Sequence, residues 1–152
     1  MKSTRPYGRK ADTALTMWVK LARAFSTFSR VTDDHIRGFG LTQAQFGAVE
    51  CLGHLGSMTI GELCRKQLVS GGNMTVVVDN LEREGLVERV RDRNDRRVVE
   101  VRLTTKGTKR FREIFPCHAE FVARVASVLT EKEQDDLGRL LRKLGRGIAA
   151  GP

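Results

Sequence analysis

VERVRDRNDRRVVEVRLT, residues 87–104, is the stretch on which the reading of this chain turns. After Gly85 the sequence period is two. Leu86, Glu88 and Val90 come first, then Val99, Val101 and Leu103 with Glu100 and Arg102 between them. Alternation of this kind, rich in valine, predicts two strands of a β-hairpin. Its tip, DRNDRR, has no apolar residue, and all six positions except Asn94 are ionised. Arginines on a hairpin tip suit the strongly negative potential of a narrow duplex minor groove. The aspartates oppose that attraction. They are better placed to hold a guanidinium or to accept from turn amides than to face a phosphate. The hairpin carries no Phe, Tyr or Trp, so base stacking on single strands is disfavoured and duplex DNA is favoured. The plain alternative for such a tip is a solvated charged loop, and the residues before it decide between the two.

Those residues predict three short helices joined by tight turns. In LTQAQFGAVECLGHLG, Thr42 and Gln45 form a capping box, Phe46, Val49 and Leu52 give the buried face, and Gly53 and Gly56 end the helix. Thr59 and Glu62 repeat the device in MTIGELCRKQL. In SGGNMTVVVDNLEREG, Ser70 is the expected N-cap and Gly85 the stop, and Met74, Val77, Val78 and Leu81 lie at helical spacing. The last two helices suit a helix-turn-helix, and a basic hairpin directly after one makes a winged helix. With the buried face so assigned, Gly71, Gly72, Asn73, Val76 and Asn80 point outward and Thr75 lies at the edge. An exposed Val76 suits a thymine methyl; packing against a neighbouring helix is the alternative. Gly71 and Gly72 let backbone amides approach a phosphate, or simply meet a turn requirement.

Longer helices flank this unit. From Ala11, the residues Leu15, Trp18, Val19, Ala22, Phe25 and Phe28 recur at three and four, up to a stop near Gly38–Gly40. A second helical stretch runs from about Thr105 to Val128 with Pro116 inside it, where a kink or break is expected. Thr130 and Glu133 cap a last helix bearing Leu137, Leu140, Leu141, Leu144 and Ile148 on one side. The expected fold is therefore mainly α with a small β-wing. Residues 1–10 are a disordered basic arm, 41–103 the winged helix-turn-helix, and 11–38 with 104–148 a helical dimerisation region.

Charge and composition agree. The net charge is +9, of which residues 1–10 contribute +4. Residues 86–110, with nine Lys/Arg against four Asp/Glu, supply the rest, and the remaining chain balances. Localised positive charge on a neutral body points to an anionic polymer. No apolar run approaches the roughly 18 residues of a membrane span, and nothing reads as a signal peptide, so the expectation is a cytoplasmic protein with no membrane partner. Cys51, Cys64 and Cys117 are widely spaced and odd in number, which suits small buried side chains better than disulfides. His35, His54 and His118 are too scattered for a metal site. There is no phosphate-cradling loop and no paired nucleophile and base, so neither an enzyme nor a cofactor is expected.

NMTVVVDNLEREGLVERVRDRNDRRVVEVRLTTKG resembles the core of the MarR family of bacterial transcription regulators. That family ends its recognition helix in Leu-Glu-x-x-Gly-Leu-Val-x-Arg, here Leu81-Glu82, Gly85-Leu86-Val87 and Arg89. A wing with Asp-x-Arg follows, here Asp95 and Arg97, and then Leu103-Thr104 with Gly107 opens a long helix. The resemblance extends over nearly the whole chain and implies a homodimer, usually a repressor released by a small ligand or by oxidation. It also departs from the family, whose members often carry a basic residue where Val76 stands. Ser70, Gly71, Gly72, Asn73, Thr75, Val76, Arg93, Arg96 and Arg97 become the expected DNA contacts on an inverted-repeat operator, with Asp95 fixing the wing. A pocket for an effector would use Trp18, Phe25, Phe46, Phe111, Phe115 and His118, although aromatics at helical spacing also read as core. FPCH (Phe115–His118), together with GGNMTVVVDNLE, is similar to the branch that answers to catechols and quinones, so a phenolic or quinone-like effector is expected. The thiol alternative rests on Cys117 and Cys51; the helical setting of Cys117 suggests burial. The absence of a cysteine from the first helix disfavours the peroxide-sensing branch. A dimeric adaptor that does not bind DNA is the third reading, and the basic wing argues against it.

Overall fold

The computed structural model describes residues 7–67, 71–91, 95 and 97–151. Its elements run α1 (Arg9–Arg37), α2 (Gln43–Leu55), β1 (Met58–Thr59), α3 (Ile60–Gln67), α4 (Gly71–Arg83), β2 (Val87–Arg91), β3 (Val99–Leu103), α5 (Thr105–Ala126) and α6 (Glu131–Ala149). The chain divides after Phe111 into two compact units.

In the first unit, Thr42 caps α2 reciprocally: its hydroxyl accepts from the Gln45 amide at 3.2 Å, and its own N–H donates to Gln45 Oε1 at 2.9 Å. Phe46, Val49 and Leu52 are buried as the spacing predicts. They meet Leu63 of α3 and Met74, Val78 and Leu81 of α4 in one core. Glu62 reaches back to the Thr59 N–H and hydroxyl at 2.8 and 2.9 Å, fixing the start of α3. Gly85, at φ 72°, closes α4: its N–H meets the Glu82 carbonyl and the Leu86 N–H meets the Leu81 carbonyl, each at 2.9 Å. This Schellman arrangement turns the chain directly into β2.

The sheet is antiparallel with order β1-β3-β2. Val87 faces Leu103, Arg89 faces Val101 and Arg91 faces Val99. The fully buried Val87 and Val101 thus share the inner face, and Val90 opposite Glu100 lies on the other. The sequence alternation had set Leu86 and Val90 in one row; the strand begins one residue later, so the row that meets the core contains Val87 and Arg89. β1 was not expected, because two residues carry no period.

Three other expectations need correction. Arg9 and Lys10 belong to α1 and not to an arm: Gly8 at φ 86° starts the helix, and its carbonyl accepts the Asp12 N–H. Residues 1–6 lie outside the described residues. Gly53 does not end α2, which runs to Leu55 and stops at Gly56, φ 83°. A Cβ on Gly53 would lie 2.6 Å from the Phe111 ring, so that glycine serves packing. α5 continues through Pro116 without the break. A proline removes one N–H, here the donor to the Arg112 carbonyl, and the rest of the ladder holds the helix. In the second unit, α6 is capped by Thr130 and Glu133 as expected, yet none of its residues is buried.

Candidate nucleic-acid interface

α4 presents two faces. Met74, Val77, Val78 and Leu81 fill the core, while Gly71, Gly72, Asn73, Thr75 and Val76 are exposed. Val76 is 54% exposed, so the packing alternative does not hold within the chain. The Thr75 hydroxyl donates to the Gly71 carbonyl at 3.0 Å, which leaves its lone pairs facing out. From Gly71 to Val78 the helix has no charged residue. Asn80 is half-buried. Ser70, Arg93 and Arg96 lie outside the described residues.

At the wing, Asp95 and Arg97 form a compact unit. Asp95 Oδ1 accepts from the Arg97 backbone N–H at 3.0 Å and from its Nε at 3.1 Å, and Oδ2 accepts from Nη2 at 3.2 Å. The Arg97 side chain remains 92% exposed. These hydrogen bonds, from the Arg97 side chain first and its backbone second, hold the Asp95 pKa below its ordinary value. On the outer face of the hairpin, Arg102 Nε donates to Glu88 at 2.8 Å between directly opposed residues.

Sequence reasoning missed the group that ties the two parts together. Arg89 lies on the inner face of β2 and reaches α4. Its Nη2 meets Asp79 Oδ1 at 2.5 Å, its Nη1 meets Glu82, and its backbone N–H donates to Glu82 Oε1 at 3.1 Å. Asp79 first and then Glu82 raise the pKa of this guanidinium. One half-buried arginine therefore ties up two carboxylates on the helix expected to meet phosphates, offsetting one of their two charges, and links the wing's root to that helix. The signal was present: counting by two from a buried Val87 places Arg89 inward, and Asp79 and Glu82 are one helical turn apart.

Thr104 and Gly107 anchor the other end of the wing. The Thr104 hydroxyl donates to the Gly85 carbonyl at 2.7 Å and accepts the Gly107 N–H at 3.0 Å, capping α5. A Cβ on Gly107 would lie 1.9 Å from the Leu86 carbonyl oxygen, so only glycine fits. The Leu-Thr-x-x-Gly motif is thus a close crossing of helix over strand.

The aromatic residues named for a pocket do different things. Phe46 is buried and stacks on Phe39 at 6.3 Å. Phe111 meets His54 edge-on at 5.0 Å. Trp18 and Phe25 stand out from α1, 61% and 71% exposed. Phe115 and His118 are half-buried on α5. Cys117 is exposed, contrary to the expected burial. Cys51 is half-buried, its sulfur 2.9 Å from Gln67 Nε2. Among the described residues no group of His, Cys, Asp or Glu could hold a metal ion, and no helix is long and apolar enough to cross a membrane.

A helix α4 whose exposed positions from Gly71 to Val76 carry no charge, clamped through Arg89 to a hairpin bearing Arg97, fits the class of winged helix-turn-helix transcription regulators. The chain belongs to the MarR family. The model of that family matches residues 41–99. The HTH-type transcriptional regulator MhqR of Bacillus subtilis is 32% identical over 134 residues, 88% of this chain and 92% of its own length. The HTH-type transcriptional repressor MdtR of the same organism is 31% identical over 107 residues, 70% and 69% of the two chains. Among solved structures, a MarR family protein from Bacillus stearothermophilus superimposes with a TM-score of 0.74 at 28% identity, covering 93% of this chain and 99% of that one. Bordetella bronchiseptica BpsR, whose DNA binding is regulated by 6-hydroxynicotinic acid, does so at 0.76 and 25%, covering 86% and 98%.

Proposed function

We propose that this regulator is a cytoplasmic homodimeric repressor that binds an inverted-repeat DNA operator and is released by a small aromatic effector. The observation that carries the DNA reading is the Arg89 clamp, which joins α4 and the wing into one rigid surface. Ser70, Gly71, Gly72, Asn73, Thr75 and Val76 meet the major groove, with Asn73 reading a base edge and Val76 a thymine methyl. Arg93, Arg96 and Arg97 address the adjacent backbone and minor groove, and Asp95 orients Arg97. The homodimer is supported by apolar side chains exposed on α1 (Leu15, Trp18, Val19, Phe25) and α6 (Leu140, Ile148). Two copies set two recognition helices on one side of the duplex, about one helical turn apart. Gel-shift selection from random duplexes tests this. Enrichment of an inverted repeat that Arg97→Ala no longer retains supports it; no enrichment above bulk DNA sinks it.

For the effector, BpsR supplies the precedent of a hydroxylated aromatic acid, and Trp18 and Phe25 offer stacking surface on α1. Trp18 is the only tryptophan, so its fluorescence reports a phenolic or quinone-like compound bound there. A second reading follows from the exposure of Cys117. In it an electrophile modifies that thiol, or the Cys51 thiol, and the modification causes release. A variant with Cys51, Cys64 and Cys117 changed to serine decides between them. A retained response supports reversible binding; a lost response, with DNA binding intact, supports the thiol.

A further inference from the structure

α2 contains a glycine that no turn requires. Gly47 is buried inside the helix, where alanine would be the better helix former. Its partner is Gln67, the last residue of α3, whose amide crosses α2 at this point. Gln67 Nε2 donates to the Gly47 carbonyl at 3.1 Å and to the Cys51 sulfur at 2.9 Å, so one amide spans two acceptors a helical turn apart. A Cβ on Gly47 would lie 2.1 Å from Gln67 Oε1 and 2.8 Å from its Cδ. The bridge therefore needs the glycine.

This bridge holds a place that apolar packing holds weakly. Of the eight residues of α3, only Leu63 is buried. The Thr59–Glu62 box fixes the start of that helix, and Gln67 fixes its end. α4 begins at Gly71, four peptide steps beyond Gln67 and thus at most about 14 Å away. Gly71, Gly72 and Asn73 are exposed, and the first side chain that α4 sends into the core is Met74. The opening turn of α4 therefore takes its position from the end of α3 as well as from the core behind it. We propose that Gln67 is a positioning residue for DNA recognition: by tying the end of α3 to α2, it sets the Gly71–Val76 surface where base edges can be read. This rests on the DNA reading above and adds a residue that acts on it without touching DNA.

Three uncharged exchanges test it in the full chain: Gln67→Ala, Gln67→Met and Gly47→Ala. None alters the net charge, so the attraction to phosphates is unchanged. Gln67→Met keeps the length of the side chain and removes both donors. Gly47→Ala displaces only the far end of a flexible side chain. Affinity is read by fluorescence anisotropy on two duplexes of equal length, the selected operator and a random sequence, at a temperature where circular dichroism shows each variant folded. Each exchange should lower operator affinity by roughly tenfold and leave the random duplex unaffected. Gly47→Ala combined with Gln67→Ala should be no worse than either alone, because both remove the same bridge. An operator-to-random ratio that stays at the wild-type value in the single variants, even with a lowered melting temperature, overturns the proposal and leaves Gln67 a purely structural residue. Losses that add in the double variant overturn it too, since Gly47 then acts apart from Gln67. A wild type that binds both duplexes alike removes the DNA reading itself, and the role of Gln67 with it.

Discussion

In the proposed reading Arg97 reaches DNA and the Asp95 carboxylate orients it, which sets one negative charge beside the duplex. Asp95 Oδ1 and Oδ2 accept from Arg97 Nε and Nη2 at 3.1 and 3.2 Å and hold the guanidinium plane, while the Arg97 side chain stays open to solvent. Replacing Asp95 by alanine raises the net charge by one, yet it should weaken operator binding, because Arg97 then loses orientation on docking. Tighter binding by the variant in a titration would mean that simple charge repulsion dominates. Arg97→Ala should cost about 1–3 kcal/mol and flatten the salt dependence by about one unit of slope. The pH dependence follows from the depressed pKa of Asp95. A carboxylate with a lowered folded pKa contributes order that is present above its unfolded value and lost as pH falls through the folded one. Wing geometry should therefore persist from neutral pH down through the ordinary carboxylate range and loosen only below it, as amide chemical shifts of Arg97 would show. Arg89 makes the complementary case from inside. Arg89→Gln frees Asp79 and Glu82 to face phosphate, so binding should fall by about 1–3 kcal/mol. Asp79→Asn in the same chain should recover part of it, and no recovery would mean that Arg89 acts through packing alone.

Elements here are closed by short-range chemistry, which is why most of them could be read from sequence. Thr42 with Gln45, Thr59 with Glu62 and Thr130 with Glu133 each reach three residues along the chain, and each marks its helix start. Gly85 is legible for the same reason, since a left-handed residue is needed where α4 turns into β2. Gly85→Ala should cost about 1 kcal/mol in denaturant unfolding. Gly107→Ala should cost more, about 3 kcal/mol or above, because the Leu86 carbonyl occupies the space of its Cβ. Equal losses for the two would contradict the crossing geometry. What escaped the sequence depends on distant partners. β1 exists only because β3 offers Met58 and Thr59 a neighbour. The role of Gly53 depends on Phe111, far along the chain. The clamp at Arg89 required knowing which face of β2 is inward, and a one-residue offset in the strand start reverses that face. The candidate site was legible as exposed positions on α4 and as Asp95 beside Arg97; the link between the two was not. On α2, burial raises the Glu50 pKa and His54 partly offsets it. Folding then favours the protonated form, so this contribution is greatest at acid pH and is lost as pH rises through the folded pKa. Glu50→Gln should accordingly raise the melting temperature at neutral pH by about 1 °C, and a drop would show that its charge is wanted.

At the scale of the whole molecule, the exposed apolar side chains on α1 and α6 are the ground for the proposed homodimer. Sedimentation at micromolar concentration should give a dimer, with well above roughly 2,000 Å² buried in total. Release by an effector requires that it bind the DNA-free form better than the DNA-bound one. Linkage then makes operator DNA weaken effector binding by the same factor as the effector weakens DNA binding. Titrating Trp18 fluorescence with a phenolic acid, with and without operator, measures that factor from the protein side. The central claim is that two copies present α4 and the wing to one face of a duplex. Hydroxyl-radical footprinting on a selected operator addresses it most directly. Two-fold symmetric protection is predicted, with the two recognition-helix sites about one helical turn apart and the wing contacts of each half lost in Arg97→Ala. A single asymmetric patch, or protection unchanged by Arg97→Ala, would contradict it.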